Sequence, residues 1–162
     1  MNKIIMLIGA AASGKSTAAP KIAAEHQNAV ILSTDKIRAE LYGAEHIQGD
    51  WKKIEAVLYD RIKNAIKADK NIILDSTHFK KEYRAKIIKN FAKYSEFSAY
   101  YFNYPFALIY SRNKRRARRV PFEVLAAMYS ELSAAPPTLS EGFKTIKKMY
   151  DNQKSVTYGR HI

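Results

Sequence analysis

Apolar runs alternate with helix-spaced patterns along this chain, and that alternation predicts a parallel sheet flanked by helices. "KIIMLI" (3–8), "AVILS" (29–33) and "NIILD" (71–75) are short, almost wholly apolar and bounded by polar residues, as buried strands are. "FSAYYFN" (97–103) reads as a fourth strand. Between them lie helical stretches at 15–26, 35–42, 50–69 and 80–93. In the third, Ile54, Val57, Leu58, Ile62, Ala65 and Ile66 share one face, and Asp50 is placed as its N-cap. In the fourth, Tyr83, Ile87, Ile88 and Phe91 are expected to face inward. Pro20 is an awkward interior residue of the first helix and is expected to kink it. Helices are expected at 105–114 and 121–133, an edge strand at 142–149, and a frayed extension after Asp151.

The first strand runs into "GAAASGKST" (Gly9–Thr17), which opens the first helix. The motif fits G-x-x-x-x-G-K-[ST] in the strand–loop–helix setting that gives it meaning. Its glycines let the loop curl so that successive N–H groups point at a phosphate, and the helix N-terminus adds its dipole. Gly9, Ala12, Ser13, Gly14, Lys15, Ser16 and Thr17 are therefore the expected nucleotide cradle, with ATP the expected ligand. Lys15 supplies a point charge to the β- and γ-phosphates, and the Ser16 hydroxyl is suited to Mg²⁺. The fold class that follows is α/β: a P-loop NTPase three-layer sandwich with a parallel sheet, adenylate-kinase-like.

In such sheets, ligands sit beyond the carboxyl ends of the strands. Asp35, in "VILSTDKIR", and Asp75, in "IILDST", both fall there. Phosphoryl transfer to an alcohol needs a carboxylate for the alcohol's proton, and Asp35 suits that task. Asp75 suits a Walker-B-like place beside Ser16 and the metal. On spacing alone the two assignments are exchangeable, and each residue could instead cap a turn or helix. Arg38 lies one helical turn beyond Asp35 and shares its face, which fits an acceptor carrying both a hydroxyl and an anionic group.

Charge changes the picture at one place above all. The chain of 162 residues carries 28 basic and 15 acidic residues, a formal +13, which favours polyanionic partners. Residues 112–119 hold six of those cations and no acid. The run lies between two helices, where kinases of this build often place a lid over the phosphates, rather than in a free tail as a sorting address would. Composition adds less. The 47% hydrophobic content is that of a folded domain, and with no cysteine there is no disulfide framework or thiolate chemistry. The apolar stretch 4–12 is too short to cross a bilayer and leads into the phosphate loop, so a soluble, cytoplasmic protein without membrane contact is expected.

Taken together, "GAAASGKST", "STDKIR", "ILDST", "RNKRRARRVP" and "PPTLSEGF" resemble the P-loop polynucleotide 5′-hydroxyl kinases of phage, bacterial end-healing enzymes and the animal DNA-repair kinase. The resemblance covers roughly residues 3–150 as one kinase domain, with a lid at about 112–120 and residues 151–162 as a tail. It implies transfer of the γ-phosphate of ATP to the 5′-hydroxyl end of single-stranded DNA or RNA, with Mg²⁺. It implies Asp35 as general base, Arg38 on an acceptor phosphate, Asp75 as the second carboxylate, and Lys15 and Ser16 on the phosphates and metal. Matching "RN" forward makes Arg116 the lid arginine, with Arg115 the rival, and Arg112 joins them as a cation facing the nucleotide. Relatives carry Asn where this chain has His78, which is able to donate a hydrogen bond in its place but is expected to be a plain loop residue. The chain has no room for the phosphatase or ligase often fused to relatives, so a stand-alone kinase is expected. A kinase of a small alcohol (a nucleotide-sugar kinase of the zeta-toxin type, or an antibiotic phosphotransferase) is the alternative, and a non-enzymatic ATP switch that binds nucleic acid is the third reading.

Overall fold

A computed structural model describes residues 1–151 and 154–159. The strands are β1 (Asn2–Ile8), β2 (Ala29–Ser33), β3 (Asn71–Asp75), β4 (Ser95–Phe102), β5 (Phe143–Asp151) and β6 (Lys154–Gly159). They form a single sheet in the order β2-β3-β1-β4-β5-β6. The first five run parallel, and only β6 is antiparallel to its neighbour. The helices are α1 (Lys15–Ala24), α2 (Thr34–Tyr42), α3 (Trp51–Lys67), α4 (Lys81–Phe91), α5 (Phe106–Lys114) and α6 (Phe122–Ala134), with a 3-10 turn at Leu139–Glu141.

Side chains of a strand alternate between faces, so a central strand with helices on both sides must be apolar throughout. β1 meets that demand. Ile4, Met6 and Ile8 pack with Ile54, Leu58 and Ile62 of α3 and Ile87, Ile88 and Phe91 of α4. Ile5 and Leu7 pack on the other side with Ala19 and Ile22 of α1, Ile109 of α5 and Leu125 of α6. The result is three layers, with β1 at the centre between β3 and β4.

Local rules explain most boundaries. Ser33 caps α2 by accepting from the Lys36 N–H at 3.4 Å, and Asp50 caps α3 by accepting from Lys52 at 2.9 Å. Pro20 is exposed, and α1 continues through it without a break.

Three expectations need correction. Tyr83 does not face inward: it is 38% exposed, and the neighbouring Arg84 takes the buried place at 0%. β5 is not an edge strand, because β6 lies outside it. The stretch after Asp151 is therefore not a frayed extension over 154–159, while residues 152, 153 and 160–162 of that expected tail lie outside the described residues. Among the described residues, no helix is long and apolar enough to cross a membrane.

Candidate active site

The phosphate loop curls because two of its residues adopt left-handed backbone: Ala12 at φ 62° and Gly14 at φ 95°. At Gly14 only glycine is free of strain. Gly9 is required for a different reason, since a Cβ there would sit 2.5 Å from Ser13 Oγ and 3.0 Å from Phe102 Cβ. Lys15 folds back into the loop it follows. Its Nζ donates to the Ala10 carbonyl at 2.7 Å and to Ser13 Oγ at 3.3 Å. Burial lowers its pKa to about 8, against the opposing pull of Asp75; the fields of Arg116 and Asp35 also reach it.

Lys15, Ser16 and Asp75 come together at the carboxyl rim of the sheet, with Asp35 within the field of Lys15. Ser16 donates to Asp75 Oδ2 at 2.9 Å. Burial raises the Asp75 pKa, while the Ser16 hydroxyl and the Lys15 charge pull it back. This hydroxyl–carboxylate pair is a hard-oxygen donor set, the kind that suits Mg²⁺ when phosphates and water complete the shell. Among the described residues, no cluster of three or more His, Cys, Asp or Glu offers a self-contained metal cage.

Asp35 stands in the first turn of α2, and the cap belongs to Ser33 rather than to it. Its carboxylate is partly open and gripped from two sides. Arg38 Nη1 lies 3.0 Å from Oδ1, and Arg118 Nη1 lies 3.5 Å from Oδ2. Arg118 comes from the basic loop, and it also approaches Glu45 at 3.6 Å. The expectation named Arg112, Arg115 and Arg116 from the run and not Arg118, whose only signal in the sequence is membership of the run. Arg116 lies within electrostatic reach of Lys15, whereas Arg115 is exposed at the end of α5. Arg112 leans over the Tyr104 ring at 4.8 Å, with Nη1 only 3.8 Å from where a Gly14 Cβ would be. Thr17 is exposed at the loop's end.

The basic run is not one loop. Its first part is the last turn of α5, and only the residues between Lys114 and Phe122 bridge to α6. Asn113 closes that bridge. Its side-chain nitrogen donates to the Val120 carbonyl at 2.7 Å, and its oxygen accepts from the Val120 N–H at 3.0 Å. This gives "RN…VP" a physical meaning. Asn113→Ala is expected to destabilise the fold by about 1–3 kcal/mol, since it orphans two backbone groups. Limited trypsin digestion should then cut faster between residues 114 and 119 than in the unmodified protein.

His78 is not the plain loop residue expected. It is 5% exposed, has left-handed backbone at φ 46°, and its Nδ1 lies 2.6 Å from the Leu7 carbonyl. A carbonyl can only accept, so Nδ1 carries the hydrogen. Burial pushes the His78 pKa down to about 4, partly offset by that carbonyl, so the ring is neutral at physiological pH. Beside it, Gly9 N–H donates to the Thr77 carbonyl at 3.0 Å. Both contacts fix the loop after β3 to the strand that leads into the phosphate loop.

Behind this rim lies a buried ion pair. Arg84 Nε and Nη2 donate to Glu141 Oε2 and Oε1 at 2.8 and 3.0 Å. The same guanidinium donates to the carbonyls of His78 (3.1 Å), Phe79 (3.2 Å) and Ala135 (2.8 Å). Glu141 also accepts from the Thr138 N–H at 3.1 Å. The "PTLSEGF" segment thus serves to brace the loop behind Asp75 from the far side.

A strand–cradle–helix phosphate loop, with one carboxylate at the end of the neighbouring strand and another in the first turn of the helix after β2, on a mostly parallel sheet, defines a nucleotide-binding P-loop kinase fold. The chain belongs to the AAA domain family (AAA_33), whose model matches residues 4–135. A sequence comparison with curated proteins finds no match. Solved structures share the fold. A chain of the Pnkp1/Rnl/Hen1 RNA repair complex superposes with a TM-score of 0.75 at 19% identity, covering 82% of this chain and 44% of that one. Kti12 of Chaetomium thermophilum, in complex with ADP-AlF3, gives a TM-score of 0.69 at 17% identity, covering 93% and 90%. A gluconokinase from Sinorhizobium meliloti gives 0.63 at 16% identity, covering 94% and 84%. This chain spans less than half of the Pnkp1/Rnl/Hen1 chains it matches.

Nucleotide binding carries a pH signature. A phosphate beside Lys15 favours its charged form, so bound nucleotide raises the lowered pKa. Above pH about 8 free Lys15 is neutral and binding must take up a proton. Affinity for ADP should therefore hold below that pH and fall above it, approaching about tenfold per pH unit. Titration calorimetry in buffers of different ionisation enthalpy would detect the proton. A flat profile with no proton uptake would show that Lys15 is not the phosphate ligand.

Proposed function

We propose that this chain is an ATP-dependent polynucleotide 5′-hydroxyl kinase. The observation that carries the proposal is the Asp35 carboxylate, partly open, within the field of Lys15 and flanked by Arg38 and Arg118. A carboxylate able to take a proton, set beside cations able to hold a phosphate, matches an acceptor whose hydroxyl is followed by a phosphodiester. The formal +13 and the six cations of residues 112–119 exceed what one nucleotide requires, and they favour a polyanion over a small metabolite. The fold likeness to a chain of an RNA repair complex accords with this.

In the proposed reaction the phosphate loop and Lys15 hold the β- and γ-phosphates of ATP. Asp35 accepts the proton of the acceptor's 5′-hydroxyl as that oxygen bonds to the γ-phosphorus. The bond from the γ-phosphorus to the β,γ-bridging oxygen breaks, and ADP leaves. Arg38 holds the acceptor's nearest phosphate. Arg116 supplies charge to the transferring group, with Arg112 and Arg115 on the nucleotide side. Mg²⁺, held by Ser16 and Asp75, would neutralise phosphate charge when bound. The basic loop acts as lid, and residues 1–150 act as one kinase domain.

The test is transfer of label from γ-³²P-ATP to a 5′-hydroxyl oligonucleotide, beside the same strand already 5′-phosphorylated. Label in the first alone supports the proposal. ATP hydrolysis with neither strand labelled overturns it. Gluconate and a nucleotide sugar belong in the same assay, because the gluconokinase fold matches most of both chains and keeps a small-alcohol acceptor as the second reading.

A further inference from the structure

The rim does not end at Asp35. Moving away from the phosphate loop, the Arg38 guanidinium, already on Asp35, lies 6.0 Å from the centre of the Trp51 ring. Trp51 stacks on Tyr83, with ring centroids 5.6 Å apart and planes 30° from parallel. Lys80 Nζ then sits 5.5 Å from the Tyr83 ring. Carboxylate, guanidinium, indole, phenol and ammonium thus follow one another, drawn from the start of α3, the start of α4 and the face of α2.

Ordinary packing accounts for Trp51 but not for Tyr83. Trp51 lies against the core and is fixed by it, but Tyr83 is 38% exposed on a helix whose buried place is filled by Arg84. The buried Arg38 Nε has no hydrogen-bond partner among the described residues, so the guanidinium has unused donor capacity beside the rings. Aromatic faces interleaved with cations are how single strands are held without regard to sequence: bases stack on the rings and phosphates meet the cations.

We propose that Tyr83, backed by Trp51, forms a stacking platform for nucleobases of the acceptor strand just downstream of its 5′ end, with Lys80 moving off the ring face to a flanking phosphate and Arg38 taking another. The proposal rests on the polynucleotide-kinase reading and deepens it. It makes the acceptor a single strand with at least one unpaired base beyond the terminal nucleotide. It also makes selection among bases weak, because every base has a stacking face.

Trp51 is the only tryptophan in the chain, so its fluorescence reports on the platform without any substitution. Titration with a 5′-hydroxyl oligothymidylate should quench the emission, whereas ATP with Mg²⁺ alone should leave it nearly unchanged. Tyr83→Ala should raise KM for the oligonucleotide roughly tenfold, with kcat and the KM for ATP held. A strand abasic at the second and third nucleotides should suffer a similar loss against the unmodified protein. That loss should largely disappear in Tyr83→Ala, since the two changes remove the same contact. If oligonucleotides are labelled while the emission is unmoved and abasic strands serve as well as intact ones, the platform is wrong and the kinase reading stands. If strands quench the emission but are never labelled, the rings bind bases but the kinase reading fails, and with it the acceptor role given to the strand. If there is neither label nor quench, both fail.

Discussion

Asp35→Asn is expected to lower the rate of phosphoryl transfer by about two to four orders of magnitude while leaving nucleotide affinity nearly unchanged. Asparagine keeps the shape and the oxygen that accepts from Arg38, but it cannot take the proton of an alcohol. Asp35 makes no hydrogen bond to the phosphate loop and reaches Lys15 only through its field, so the nucleotide should hardly register the change. On the proposed reading the acceptor KM should not rise, because removing a negative charge beside Arg38 and Arg118 leaves the rim more positive toward a polyanionic acceptor. Arg38→Ala should do the reverse and raise that KM. Steady-state kinetics with both substrates varied would separate the two patterns. Normal turnover by Asp35→Asn would remove this residue from the chemistry.

Arg84→Ala is expected to cost about 3–5 kcal/mol of stability, because it strands the Glu141 carboxylate in a site that is 3% exposed. For a domain of this size that corresponds to a fall in Tm of about 10 °C. Three carbonyls would lose their donor at the same time. The pair Arg84→Met with Glu141→Leu should recover part of the loss, since it leaves no charge buried alone but still leaves the three carbonyls and the Thr138 N–H without their partners. Urea denaturation of the three proteins would measure this. A wild-type midpoint for Arg84→Ala would mean that the ion pair braces nothing.

The same ion pair marks where local sequence reasoning stops. The spacing in α4 points to Tyr83, Ile87, Ile88 and Phe91, whereas the residues buried are Arg84, Ile87, Ile88 and Phe91. An apolar ring is the ordinary choice, and a guanidinium is almost never fully buried unless paired. Its partner lies 57 residues away in the turn before β5, so nothing within the helix could reveal it. His78 was obscured in a similar way, because its burial depends on a carbonyl of β1 that is 71 residues distant. β6 was missed because Ser155 to Gly159 stay exposed, and a strand that buries neither face leaves no alternation to read.

What was legible shared one property: it was encoded locally. The phosphate loop declares itself through glycine spacing. Asp35 and Asp75 follow from strand ends, and the sheet from its apolar runs. Arg118 lay in plain view within a cationic run, but the choice among neighbouring arginines depends on the turn that Asn113 closes. That is a matter of three-dimensional direction rather than composition.

The bracing by Arg84 reaches into behaviour on warming. One guanidinium fastens the loop behind Asp75, the end of α6 and the turn before β5, so these three segments should loosen together on warming rather than one by one. Followed by hydrogen exchange, their opening should describe a cliff rather than a slope.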